Sequence, residues 1–194
     1  MAVLPTKGLT AFLTAIGQRA HPSVLDVGPA IGTNLSFFAE RFGCRLYFED
    51  LFDDVASFDK KGDRGALPAF LESRLTIPAG SLDGILAWDV FDYLDVASAR
   101  VLGRQLAGLL RPGGVLLGFF ATDNAPAEVH SDFVIIDDRT LRPRPRGQTL
   151  RRYPPLVNRD VARLFEGLEV SESFLLLTHT REMLFRRPAG ARSC

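Results

Sequence analysis

The sequence predicts an α/β fold with a doubly wound, mostly parallel sheet, and three observations carry that expectation. Short apolar runs of buried type, Val24–Val27, Leu46–Phe48 and Val115–Phe120 among them, alternate with stretches whose apolar residues recur at helical spacing. The first run passes through Gly28-Pro29-Ala30-Ile31-Gly32 straight into such a helical stretch. Farther along, Arg111-Pro112-Gly113-Gly114 stops one helix just before a strand. Parallel strands need a crossover between them, and a helix is the usual one.

Length and composition bound the function. A chain of 194 residues suits one domain, and 46% hydrophobic with 24% charged residues is ordinary for a globular protein. The 23 basic residues balance 23 acidic ones, which removes any global attraction to nucleic acid or to a membrane surface. No apolar run approaches the roughly 20 residues of a membrane span. Cys44 and Cys194 are too few and too far apart for a disulfide framework, and three scattered histidines add no metal-ligand spacing. The expectation is a cytoplasmic protein with neither nucleic acid nor membrane as partner, and no metal.

Each element follows in order. Residues 1–22 carry an N-terminal helix at Leu9–Ile16. Residues 23–121 hold the alternating pattern: after the first strand and turn, Leu35, Phe38, Ala39 and Phe42 keep helical spacing until Gly43 stops them. Leu46–Phe48 is the second strand and ends in the acidic pair Glu49-Asp50. Between Phe52 and Arg74 no strand is legible; Lys60–Gly65 reads as an exposed loop and Ala66–Leu75 as a helix. The segment Gly80–Leu94 supplies a turn, Asp83 and a buried strand running to Trp88-Asp89. Val101, Leu102, Leu106, Leu109 and Leu110 make Ala97–Leu110 an amphipathic helix. In residues 122–194, Phe133–Ile136 is strand-like and an arginine- and proline-rich insertion occupies 139–157. Asn158 caps a helix running through Glu166, Gly167 stops it, and Val170–Thr178 and Thr180–Arg187 read as two strands before a frayed tail.

The glycine turn selects a cofactor class. A dinucleotide fingerprint G-x-G-x-x-G needs glycine where Ala30 and Thr33 stand, which demotes NAD and FAD. The pattern present is Asp26-x-Gly28-x-x-x-Gly32. It resembles the acidic-x-Gly-x-Gly-x-Gly pattern of the class I S-adenosylmethionine-dependent methyltransferases, with Ala30 replacing the middle glycine. The segments Gly80–Leu94 and Ala97–Ala121 follow in that family's order, so the resemblance covers Val24–Ala121. It implies a Rossmann-like sheet of seven strands completed by an antiparallel C-terminal pair, S-adenosyl-L-methionine as cofactor, and methyl transfer by in-line displacement.

The same resemblance assigns roles. Asp26, Gly28, Pro29 and Gly32 form a turn that lets backbone approach the cofactor, and the helix N-terminus offers N–H groups to its carboxylate. Asp50, with Glu49 as second choice, grips the ribose diol; the other reading is that one of them caps the next helix. Trp88 packs on apolar parts of the cofactor or belongs to the core, and Asp89 accepts from the cofactor's ammonium group or caps a helix. Thr76-Ile77-Pro78 offers no acid for the adenine.

The acceptor is a small molecule on two grounds. Zero net charge is one; the other is that Asp89-Val90-Phe91-Asp92 stands where the family's nucleic-acid enzymes carry an Asn or Asp followed by Pro-Pro and an aromatic. Eight arginines between Arg139 and Arg163 face one acid, Asp160, and read either as a solvated face or as a lid for an anionic acceptor, with Arg151 and Arg152 at its centre and Tyr153 as a wall. Asp92, Tyr93, His130, Tyr153 and His179 are general-base candidates that no motif separates. A non-catalytic cofactor-binding or interaction module is the alternative, and a nucleotide-dependent oxidoreductase a third.

Overall fold

Helices and strands alternate in the computed structural model, which describes residues 3–123, 131–147, 150–176 and 178–190. A short strand β1 (Leu4–Pro5) leads into α1 (Gly8–Ile16), β2 (Ser23–Asp26), α2 (Gly32–Phe42), β3 (Arg45–Phe48), α3 (Leu51–Lys61) and α4 (Leu67–Arg74). Next come β4 (Leu82–Trp88), α5 (Val96–Leu109) and β5 (Leu110–Ala121). The hairpin β6 (Ser131–Asp137) and β7 (Thr140–Pro145) precedes α6 (Asn158–Leu164), β8 (Glu169–Leu175) and β9 (Thr180–Arg186).

The main sheet has the order β3-β2-β4-β5-β9-β8. β2 runs parallel to β3 and β4, and β4 to β5, while β9 is antiparallel to both β5 and β8. This is the expected mostly parallel Rossmann-like sheet with an antiparallel C-terminal pair. It holds six strands among the described residues instead of seven, because the stretch from Leu51 to Ser81 folds as α3, a 3-10 turn and α4. Local chemistry explains why: Asp50 caps α3, Asp53 and Asp54 sit in its first turn, and Lys60 and Lys61 in its last, all favourable to the helix dipole. Proline at the start of α4 is likewise compatible with a helix.

Every residue of β4 is buried, as a strand covered on both faces requires. Helix α1 lies so close to it that a Cβ on Gly84 would sit 2.7 Å from the Phe12 ring and 2.9 Å from Ile16. Glu182 of β9, 1% exposed, accepts from the Lys7 and Gly8 N–H groups at 2.9 and 2.6 Å, satisfying the orphan donors of α1. At the amino ends of the strands Asp83 accepts from Ser23 N and pairs with Arg111 and Arg19.

The arginine- and proline-rich insertion contains β7, the middle strand of a small antiparallel sheet β1-β7-β6. β1 covers only Thr140 and Leu141, so Pro143 and Pro145 lie where β7 has no second neighbour, a position that tolerates their missing N–H. One expected cap is not made: α6 begins at Asn158 with no side-chain cap and ends at Leu164, short of Glu166, because the Asn158 side chain accepts from Arg181 instead. Among the described residues no helix is long and apolar enough to cross a membrane.

Candidate functional site

The carboxyl ends of β2, β3, β4 and β5 share one edge, the side on which open α/β sheets bind ligands. Asp26, 2% exposed, closes the end of β2: its Oδ1 accepts from Gly28 N at 2.8 Å and from Trp88 Nε1 at 2.6 Å. Burial pushes the Asp26 carboxyl up to about 7 against the pull of those two bonds. Asp26 therefore ties the glycine turn to the end of β4.

Trp88 has φ +47°, a region that costs a bulky residue about 1–3 kcal/mol and persists only where surroundings hold it. Its ring stacks on Phe133 at 5.4 Å and meets Phe119 edge-on at 5.6 Å. A Cβ on Gly28 would lie 3.1 Å from Asp26 Oδ1 and 3.4 Å from the indole, whereas Gly32, the first residue of α2, has open space around it.

The β6–β7 hairpin sits over this turn. Asn34 of α2, 1% exposed, donates to Phe133 O at 2.9 Å and accepts from Ile135 N at 2.8 Å. What remains between Gly28, Pro29, Trp88 and Phe133 is a cavity of about 10 Å³, no more than one water needs. The acidic pair at the end of β3 is equally engaged. Asp50 accepts from Asp53 N and pairs with Arg146, which also lies 3.0 Å from Asp132 Oδ1; Glu49 pairs with Arg74 at 2.5 Å. The helix-cap reading of Asp50 is thus met.

Beyond Phe133 lies a larger cavity of about 390 Å³. Phe119, Phe133, Leu141 and Pro143 wall it, and Asp89, Asp92, Arg152 and Glu182 are its charged groups. Asp89 faces this cavity and does not line the small one at the turn. Its Oδ2 accepts from the Tyr93 hydroxyl at 3.2 Å, while its buried Oδ1 has no hydrogen-bond partner among the described residues. Burial and the adjacent Asp92 push Asp89 up to about 7. Asp92 accepts from Ala121 N and from Arg152 at 2.9 Å; burial raises its pKa as well, with Arg152 opposing. Burial and Asp89 keep the Tyr93 phenol protonated.

The alternative reading of Asp89, a helix cap, is not met: it precedes a 3-10 turn, Val90–Tyr93, without a side-chain cap bond. Of the general-base candidates, Asp92 lines the larger cavity and Tyr93 reaches it through Asp89. Tyr153 instead lies beneath the guanidinium groups of Arg64 and Arg151, and His179 is exposed between β8 and β9. His130 lies outside the described residues. No cluster of His, Cys and acidic residues suited to a metal occurs among the described residues. Sequence reasoning missed Asn34, Phe133 and Arg146. Arginine density around 146 was a visible signal, but its partner Asp50 is 96 residues away.

Three arginines of the insertion serve internal acids: Arg152 holds Asp92, Arg146 holds Asp50 and Asp132, and Arg144 holds Asp132.

A family model described as a methyltransferase domain matches residues 4–167. The chain belongs to this methyltransferase family, in agreement with the S-adenosylmethionine-dependent class its glycine turn resembles. No curated protein sequence matches it. Among solved structures, 1,6-didemethyltoxoflavin-N1-methyltransferase of Burkholderia thailandensis is 16% identical with a TM-score of 0.55, over 93% of this chain and 76% of that one. The N-methyltransferase NodS of Bradyrhizobium japonicum is 18% identical with a TM-score of 0.55, over 93% of this chain and 94% of its own. The cyclase SpnF has a TM-score of 0.56 at 10% identity, over 94% and 81%. At these identities the likeness is one of fold.

Proposed function

We propose that the protein transfers a methyl group from S-adenosylmethionine to a small-molecule acceptor, with the cofactor at the glycine turn and the acceptor in the larger cavity. The observation that carries this reading is the adjacency of the two: Trp88 and Phe133 stand between a family-type glycine turn and a 390 Å³ apolar cavity at one edge of the sheet. Small molecules bind in such pockets, walled by apolar groups with a few polar ones.

The donor chemistry at the turn suits the cofactor. Gly28, Pro29, Gly32 and the N-terminus of α2 present backbone to a carboxylate, Asp50 and then Glu49 suit a ribose diol, Asp26 holds the turn in shape, and Trp88 offers an apolar face. The space is taken by the hairpin, so binding requires Phe133 and Arg146 to yield. When bound, S-adenosylmethionine supplies a methyl group on a sulfonium already activated as a leaving group. The chain's share is orientation and exclusion of water, an effect worth about 7–11 kcal/mol in favourable cases. The single domain, residues 1–194, divides into a cofactor half through residue 121 and an acceptor half beyond it. Burial raises the Cys44 thiol to about 11, so it holds little thiolate near neutral pH.

The filled turn favours a second reading, a non-catalytic module in which the hairpin has replaced the cofactor. Incubation with methyl-labelled S-adenosylmethionine and a panel of small amines, phenols, thiols and carboxylates separates the two. Label transfer to any class supports the enzyme; a folded protein that transfers to none supports the module.

A further inference from the structure

An arginine lid, one of the two readings of the insertion, would suit an anionic acceptor, yet the charges around the larger cavity have the opposite sense. Three carboxylates, Asp89, Asp92 and Glu182, converge there against one guanidinium, that of Arg152. Arg152 is bound to Asp92, so that pair is neutral as a unit. Glu182 has its two backbone donors at the start of α1. Asp89 differs from both: one oxygen has the Tyr93 hydroxyl, and the other is buried with no donor among the described residues. The Asp89 carboxylate lines the cavity with hydrogen-bond acceptor capacity left over, which a ligand N–H can fill.

We infer that this cavity takes an apolar small molecule through a single amine nitrogen, received by the carboxylate of Asp89. The aromatic and proline walls, Phe119, Phe133 and Pro143, contact the apolar body, and Asp89 fixes the nitrogen beneath the end of β4 next to Trp88. Bound as an ammonium, the nitrogen yields one proton to the Asp89 carboxylate and retains the electrons of the broken N–H bond as a lone pair, becoming the neutral amine that a methyl acceptor must be. Asp89 is a competent proton acceptor near neutral pH, since burial and Asp92 hold its carboxyl near 7. The inference deepens the proposed function and rests on it for everything that follows binding.

The test is calorimetric titration of the full chain with three matched probes, 2-phenylethylamine, 2-phenylethanol and 3-phenylpropanoate, alongside a separate titration with S-adenosylmethionine. The amine is expected to bind at least about tenfold more tightly than the alcohol or the carboxylate, a difference of about 1.4 kcal/mol. Asp89→Asn is expected to erase that preference and leave alcohol affinity unchanged. Equal or tighter binding of the alcohol or carboxylate to the unaltered protein overturns the inference, as does absence of amine binding, and neither result depends on the variant folding. Asp89-dependent amine binding without S-adenosylmethionine binding keeps the inference and sinks the methyl-transfer reading; the reverse pattern does the opposite.

Discussion

Arg146 reaches across the glycine turn to both carboxylate oxygens of Asp50, so the acid best placed for a ribose diol is held by a guanidinium from the end of the β6–β7 hairpin. Arg146 is 13% exposed and Asp50 23%, so the pair is shielded from much of the solvent screening that weakens surface ion pairs. On the proposed reading, cofactor and hairpin compete for the same carboxylate.

Arg146→Gln is therefore expected to tighten S-adenosylmethionine binding by about tenfold while lowering stability by about 1–3 kcal/mol, because Asp50 and Asp132 lose a partner. Paired calorimetry and urea denaturation check both. Weaker cofactor binding would make Arg146 part of the cofactor site.

Between the two acids, Asp50→Ala is expected to weaken S-adenosylmethionine binding more than Glu49→Ala does. Asp50 lies beside the turn-covering Arg146, whereas Glu49 is turned toward Arg74 and shares it with Asp54. The opposite order of dissociation constants exchanges their roles.

At the turn itself, Gly28→Val places carbon against Asp26 and Trp88 and is expected to abolish cofactor binding at a cost of about 1–3 kcal/mol in stability. Gly32→Ala, in open space at the start of α2, is expected to leave stability within about 0.5 kcal/mol. Thermal melts and calorimetric titration of the two variants check both outcomes, and a Gly28→Val protein as stable as the parent with cofactor affinity intact contradicts them.

Asp26 makes folding pH-dependent in a defined direction. Its folded pKa of about 7 lies above the unfolded value of about 3.9, so the folded state binds more protons between them and stability falls as pH rises from about 4 to 7. Asp26→Asn keeps an oxygen for Gly28 N and Trp88 Nε1 and removes the ionisation. Its unfolding free energy is expected to drop between pH 5 and 8 by about 3 kcal/mol less than that of the unaltered protein, measured by denaturant titration at the two pH values. Identical pH slopes would show that Asp26 is not the titrating group.

Asn34 anchors the hairpin through both atoms of its amide. Asn34→Ala leaves Phe133 O and Ile135 N without that partner and is expected to cost about 1–3 kcal/mol and to speed proteolytic cleavage within 131–147. An unchanged cleavage rate would mean that the hairpin is held chiefly by Arg146 and the Trp88–Phe133 stack.

The elements that position the site were legible because their signals are local. Helical spacing from Leu35 to Phe42 ends at Gly43 with φ +58°, and the apolar runs at β2, β4 and β5 are parallel strands as their crossovers demand. α3 was not legible because its apolar residues, Leu51, Phe52, Val55 and Phe58, are interleaved with five charges that read as loop until the cap at Asp50 is known. In the candidate site, the glycine turn names Asp26 and Gly28 and the end of β4 names Trp88, yet the bond that joins Asp26 to Trp88 spans 62 residues and leaves no trace in spacing. The arginine-rich insertion gave the reverse lesson. Its density is open to a solvated face or a ligand-binding lid, while the acids that three of its arginines pair with, Asp50, Asp92 and Asp132, are scattered along the chain.

The most direct measurement is calorimetric titration of the purified protein with S-adenosylmethionine, its demethylated product S-adenosylhomocysteine, and NAD. Saturable binding of the first two at one site per chain, with none of NAD, is the predicted result. A folded protein that binds neither, or that prefers NAD, contradicts the assignment of the glycine turn as a methyl-donor site.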